Sequence, residues 1–221
     1  KNLRIVSAAA AALLAVAPVA ASAVSVNAAD STATTTANTS ATTNSNVSLN
    51  LNGAGNTATN AQNTVNVSSS FSLNAPVKAN NAVTADATLG GELTATLNGT
   101  SVSSSLADAA QDVTVSDGKT NLYSYNKETK KVENNLNNVV AGQSYTLTLT
   151  NVGFSFGSAM KNKTVTVKLA NGELSGKNVT KNTDGSYKLT LDQYGNATEL
   201  TYTQSLKAYN QGNTDSIFFI N

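Results

Sequence analysis

The sequence predicts an all-β protein: an antiparallel β-sandwich-like domain preceded by a signal peptide and a disordered Ser/Thr/Asn-rich tether. Three observations predict it. Apolar side chains alternate with Thr, Ser and Lys at period two, the pattern of half-buried strands. Short runs of this kind are separated by Asn-Gly and Asp-Gly turn signals, a spacing typical of sandwiches and barrels. Only two prolines occur, Pro18 and Pro76, so little interrupts the strands.

The chain begins with a basic pair, Lys1 and Arg4, followed by the apolar run "IVSAAAAALLAVA" (Ile5 to Ala17) and Pro18. This is the order of an export signal, and residues 1–28 are assigned to it. Small-x-small cleavage sites end at Ala23 and at Ala28. The polar tract beyond favours the second, which places the cut between Ala28 and Ala29. A membrane anchor is disfavoured because the run falls short of the ~20 apolar residues that a spanning helix needs.

Residues 29–46 form the expected tether. Ser31 to Asn46 contains 13 Ser, Thr or Asn in 16 positions and no large apolar side chain. Such a segment buries too little surface to offset its ordering entropy. No charge occurs from Ser31 through Val77.

The β-rich domain is expected over residues 47–205. All 12 Phe and Tyr lie at or beyond Phe71, so the densest core belongs there. "ELTATL" aligns Leu93, Ala95 and Leu97; "SYTLTLT" aligns Tyr145, Leu147 and Leu149. "TVTVKL" does so for Val165, Val167 and Leu169, "YKLTL" for Tyr187, Leu189 and Leu191, and "ELTY" for Leu200 and Tyr202. Turns are expected at Asn98-Gly99, Asp117-Gly118, Asn171-Gly172, Asp184-Gly185 and Gly195-Asn196, as hairpins whose central residues take positive φ. "SSLADAAQD" (Ser104 to Asp112) could form one or two helical turns. Residues 206–221 are expected to start a further segment cut at "SIFFIN".

Composition narrows the chemistry. The chain has no His, Cys or Trp, and 12% of its residues are charged. It therefore lacks the usual proton shuttle, thiol nucleophiles, disulfides and the commonest metal ligands. Without disulfides, an exported domain must rely on its core. Beyond Ala28 the chain has 12 Lys against 13 acids, which gives no basis for nucleic-acid binding. Lys78 to Gly118 holds one Lys and five acids, whereas Lys119 to Asn221 holds 11 Lys and seven acids. Copies would attract head to tail if these halves occupied different faces, and the asymmetry would vanish if the sheets interleaved them.

"VGFSFGSAMKNKTVTVKL" (Val152 to Leu169) carries glycines and a Lys-Thr pair, but its alternation supplies a strand where a phosphate loop needs a helix N-terminus. It reads as a strand with Phe154 and Phe156, a turn, and another strand. Asp86 with Glu92, or Asp108 with Asp112, could in principle form a glycosidase pair, but they sit beside turn-like sequence where acids are solvated. Calcium loops are absent. "YSYNKETKKVEN" (Tyr123 to Asn134) reads as a charged hairpin tip rather than a polyanion strip. No catalytic residue, metal ligand or cofactor is assigned, and the chain is not expected to be an enzyme.

Together these residues resemble the N-terminal half of surface-layer (S-layer) proteins of lactobacilli. The leader "KNLRIVSAAAAALLAVAPVAASAVSVNA", the polar start, "GGELTATLNGTSVSSSL" and "LDQYGNATELTYTQSLKAYN" carry the resemblance. Its most specific part is "AGQSYTLTLTNVGFSFGSAMKNKTVTVKL", and it covers nearly all 221 residues. The resemblance implies a secreted structural protein at the cell-wall surface, self-assembling into a two-dimensional lattice. Its partners would be copies of itself, and cell-wall polymers through a basic, Tyr- and Lys-rich C-terminal region absent here. Neither nucleic acid nor, after signal removal, membrane is an expected partner. A secreted adhesin or glycan-binding β-module is the alternative reading, and it predicts a localised aromatic or charged patch.

Overall fold

The computed structural model describes residues 47–53, 63–76, 87–134, 139–210 and 216–220. The expected signal peptide and tether, residues 1–46, lie outside them. Among the described residues, alternation produces strands, and the fourteen strands found there form one hydrogen-bonded network folded into two layers.

In layer one the order is β11 (Val179–Lys181), β12 (Tyr187–Thr190), β9 (Thr164–Leu169), β2 (Thr64–Pro76), β3 (Thr88–Leu97) and β4 (Thr100–Ser105). Layer two is built on the long pair β8 (Ser144–Ser155) and β13 (Asn196–Asn210). On the outer edge of β8 lie β1 (Val47–Asn50) and β5 (Val113–Ser116). The sheet continues from β5 to β6 (Asn121–Asn126) and β7 (Lys131–Asn134), and β10 (Glu173–Ser175) pairs with β13. At one end β14 (Ser216–Ile220) joins the layers by pairing with both β2 and β13. Strand β13 runs through Ser205 without a break, so residues 206–210 and 216–220 belong to the same sheet as the residues before them.

Antiparallel pairing predominates, but β1 with β8 and β2 with β9 are parallel. Each parallel pair joins strands separated by a long stretch of sequence, as parallel geometry requires.

Inward residues of both layers form one core. It includes Leu49, Leu73, Leu93, Leu147, Val167, Leu189 and Leu206, together with Phe154 and Phe156, whose rings stack at 6.3 Å. A fully buried Leu or Phe side chain contributes about 1.5–3 kcal/mol. The stretch around Phe154 is thus the end of a core strand, followed by a short 3-10 turn at Ser158–Met160 and then β9. The stretch from Ser104 gives a turn and a 3-10 segment, Ala110–Asp112.

The inward parity changes along the long pair. On β8 the buried side chains are Tyr145, Leu147 and Leu149, then Val152 and Phe154; on β13 they are Asn196 and Ala197, then Leu200, Tyr202, Gln204, Leu206 and Ala208. Asn151 and Glu199 sit at the switch with φ of 55° and 56°, and the register slips beside them. Each extra residue is a bulge that resets which side chains face inward.

A buried polar brace ties the layers across the core. The Tyr202 hydroxyl lies 2.7 Å from the Asn171 carbonyl and 2.6 Å from Gln204 Oε1, and its single proton serves one of them at a time. Ser69 of β2 donates to the same Oε1 at 2.7 Å. Only Asn98-Gly99 has both central residues at positive φ, 48° and 84°. At the other four expected turns only the glycine does. At three of these an aspartate closes the turn: Asp117 Oδ1 accepts from the Lys119 and Thr120 amides, Asp184 Oδ1 from the Ser186 amide, and Asp192 Oδ1 from the Tyr194 and Asn196 amides.

Two outcomes are expected. Gly91, within β3, has φ of 99°, and a Cβ there would overlap the Ser70 carbonyl of β2. Gly91→Ala should destabilise by more than ~1 kcal/mol, lowering Tm by several degrees; an unchanged Tm would overturn this. Burial raises the pKa of the Tyr202 and Tyr123 hydroxyls. The unfolded chain therefore ionises these tyrosines first, so their contribution to stability is intact below about pH 10 and declines as pH rises further. Absorbance at 295 nm should show a late group of tyrosines ionising together with loss of β-sheet circular dichroism. Complete ionisation near pH 10 in a still-folded protein would refute it.

Candidate functional site

The acids considered from sequence do not form a pair. Asp86 lies outside the described residues, as do Ala28 and Ala29. Glu92 projects from the outer face of β3, and Asp108 is exposed in the turn after β4. Asp112 departs from the solvated position expected of it: its side chain is 5% exposed, and Lys127 Nζ lies 3.9 Å from Oδ1. That contact ties the base of β5 to the tip of the β6–β7 hairpin, the charged hairpin expected over Tyr123 to Asn134. Asp112 ends the 3-10 segment Ala110–Asp112 and is its buried residue, a placement that local sequence does not report.

Among the described residues, no group of three or more His, Cys, Asp or Glu could hold a metal. A shallow depression of about 220 Å³ brings Lys177, Asn178, Asp192 and Glu199 together. Asp192 Oδ1 is already engaged by the Tyr194 and Asn196 amides and serves as a turn cap. Asp117 and Asp184 have pKa values lowered by their turn hydrogen bonds, from Thr120 and Lys119 in the first and from the Ser186 hydroxyl and amide in the second. These acids are occupied in shaping the backbone.

What the fold does assemble is a pair of broad hydroxyl-rich faces. With Val and Leu turned inward, the intervening residues of each strand must turn outward. On layer one the pairing register sets them in rows: Asn66, Thr96 and Ser101; Ser68, Thr94 and Ser103; Ser70, Glu92 and Ser105. Thr94 and Ser103 are bonded at 2.7 Å, and Thr96 donates to Ser101 at 3.2 Å. Such cross-strand pairs each contribute roughly 0.2–1 kcal/mol. The first row continues to Lys168 on β9, and the next level runs Thr64, Thr166, Lys188, Thr180.

Layer two repeats the chemistry. Glu173, Thr203, Thr148 and Thr114 form one row, and Ser205, Thr146 and Ser116 the next. Large exposed hydrophobic side chains among the described residues are confined to Val140 and Tyr194, at 55% and 36% exposure. These faces therefore present hydrogen-bonding groups rather than apolar ones. The alternating Thr and Ser were legible in sequence; their alignment into rows across strands distant in the chain was not.

The SlpA N-terminal domain family matches residues 18–214. An S-layer protein of Lactobacillus helveticus is 38% identical over 197 residues, which cover 88% of this chain. The chain spans 38% of that relative's length.

Proposed function

Because the chain belongs to the SlpA N-terminal domain family and is similar to an S-layer protein over most of its length, we propose that it is a structural building block. It is a constituent of a bacterial cell-surface S-layer, self-assembling into a two-dimensional lattice on the cell wall. The observation that carries this reading is the pair of hydroxyl-rich faces, one on each layer. A lattice needs at least two different contact patches per subunit that do not close on each other. Two outward faces on separate layers supply them. Rows of Ser, Thr and Asn offer many donors and acceptors with few charges to strip of water. Each contact can be weak, because a subunit held at a surface meets several neighbours at once.

In this reading the chain is exported, with cleavage between Ala28 and Ala29. Its partners are other copies of itself, and wall polymers are contacted through a further C-terminal region. The adhesin alternative gains no support from the faces, where Ser and Thr rather than aromatic side chains predominate. The enzyme reading is disfavoured by a structural family and by acids engaged in turns.

Purified protein examined by negative-stain microscopy should form ordered sheets or tubes. Dispersed monomers under every assembly condition tried would count against the proposal, and turnover of a wall polymer would replace it with another.

A further inference from the structure

Among the described residues, β1, β4, β7, β10 and β11 each have a hydrogen-bonded neighbour on one side only. Natural sheets blunt such edges with brevity, charge or proline. Strands β7, β10 and β11 follow that rule: they run for three or four residues and carry Lys131 and Glu133, Glu173, and Lys181. Strand β1 is four residues long and packs against both β4 and β3, which puts it beneath layer one rather than beyond its edge. Strand β4 breaks the rule. It is "TSVSSS", six residues without a charge, and it keeps register with β3 throughout, with no bulge. Nothing from Leu93 through Ala107 is charged.

The register decides which main-chain groups of β4 are free. Leu97 and Thr100 close the two-residue turn, and the Leu106 amide donates to the Gly91 carbonyl at 3.0 Å. Bonded pairs alternate with unbonded ones in an antiparallel ladder, so Thr100, Val102 and Ser104 direct their N–H and C=O groups at β3. Those of Ser101, Ser103 and Ser105 point away, and no described residue bonds to them. The Ser101 and Ser103 hydroxyls are already bonded to Thr96 and Thr94 of β3. What the edge offers is main chain.

We propose that the free edge of β4 pairs with the same edge of a second copy of the chain, antiparallel and centred on Ser103. This rests on the assembly reading and names one of its contacts. The side chains along the edge are small and uncharged, so neither a pocket nor a charge selects a foreign peptide. A second copy matches it group for group. A two-fold axis perpendicular to the sheet sets Ser103 against Ser103 of the second copy, and Ser101 against Ser105. Each facing pair exchanges two main-chain bonds, roughly six in all. Like charges stay apart: the Glu92 carboxylates of the two copies are three strand spacings and four residue levels from each other, roughly 20 Å. That is well beyond the ~8 Å over which exposed charges act in physiological salt. An edge contact falls short of the ~800 Å² per partner of a standard interface, so the pair is weak and reversible.

Sedimentation velocity of the purified protein at rising concentration tests this. Wild type should form a dimer whose strength does not change as salt rises, since the ladder joins uncharged strands. Ser103→Pro removes the amide at the axis without taking a bond from β3, and it should abolish the dimer. S103K and S103E each set like charges against one another and should reduce dimerisation by about tenfold. An equimolar mixture of the two should recover it, with circular dichroism confirming the fold of each variant. Dimerisation of Ser103→Pro at wild-type strength would overturn the contact. So would a mixture no stronger than its components, or a dimer that dissolves in salt. Ordered sheets from a wild type without the dimer, or from variants that have lost it, would leave assembly standing and remove this contact from it. A wild type that forms neither dimers nor sheets would overturn both.

Discussion

The pleat of the β-strand is the constraint on which the rest depends. A residue turned inward commits its neighbour to face outward. Each Val or Leu that fills the core of this protein therefore places a Thr, Ser, Asn or Lys on the surface. Core and exterior are written by the same letters, and neither could be changed alone. "TLTLT" on β8 is at once Leu147 and Leu149 in the core and Thr146, Thr148 and Thr150 outside. Because two layers share one core, the rule yields two hydroxyl faces rather than one.

This explains how much could be read in advance. Each run in which aliphatic residues alternate with Thr became a strand, and Tyr145, Leu147, Leu149, Val165 and Val167 are buried as the alternation required. The hairpin at Asn98-Gly99 followed because Asn and Gly both tolerate left-handed backbone. The parity switches at Asn151 and Glu199 could not be read, since an extra residue looks the same whether it bulges or continues the strand. Nor could the parallel pairs, or the row that sets Lys168 beside Asn66, because these join distant parts of the chain. Asp112 looked solvated because its burial depends on the 3-10 segment that it ends and on the hairpin that reaches it through Lys127.

The charge asymmetry between the two halves of the sequence had two possible fates. The layers do interleave the halves: β2, β3 and β4 share a layer with β9, β11 and β12. Interleaving does not erase the asymmetry, however. Within layer one the early strands lie to one side and the late strands to the other, so a division along the chain becomes a gradient across a face. Glu92 stands on the early side, and Lys168 and Lys188 stand on the late side.

The parallel pairing of β1 with β8 and β2 with β9 has a kinetic consequence. Val47 pairs with Val152, and Val65 with Val167, so each early strand must wait for roughly a hundred more residues before its partner exists. Loop closure over such distances is slow, and topologies of this kind fold late and nearly all at once. Neither parallel pair can form until β8 and β9 have been made, so the early strands β1 and β2 are the ones that complete their pairing late.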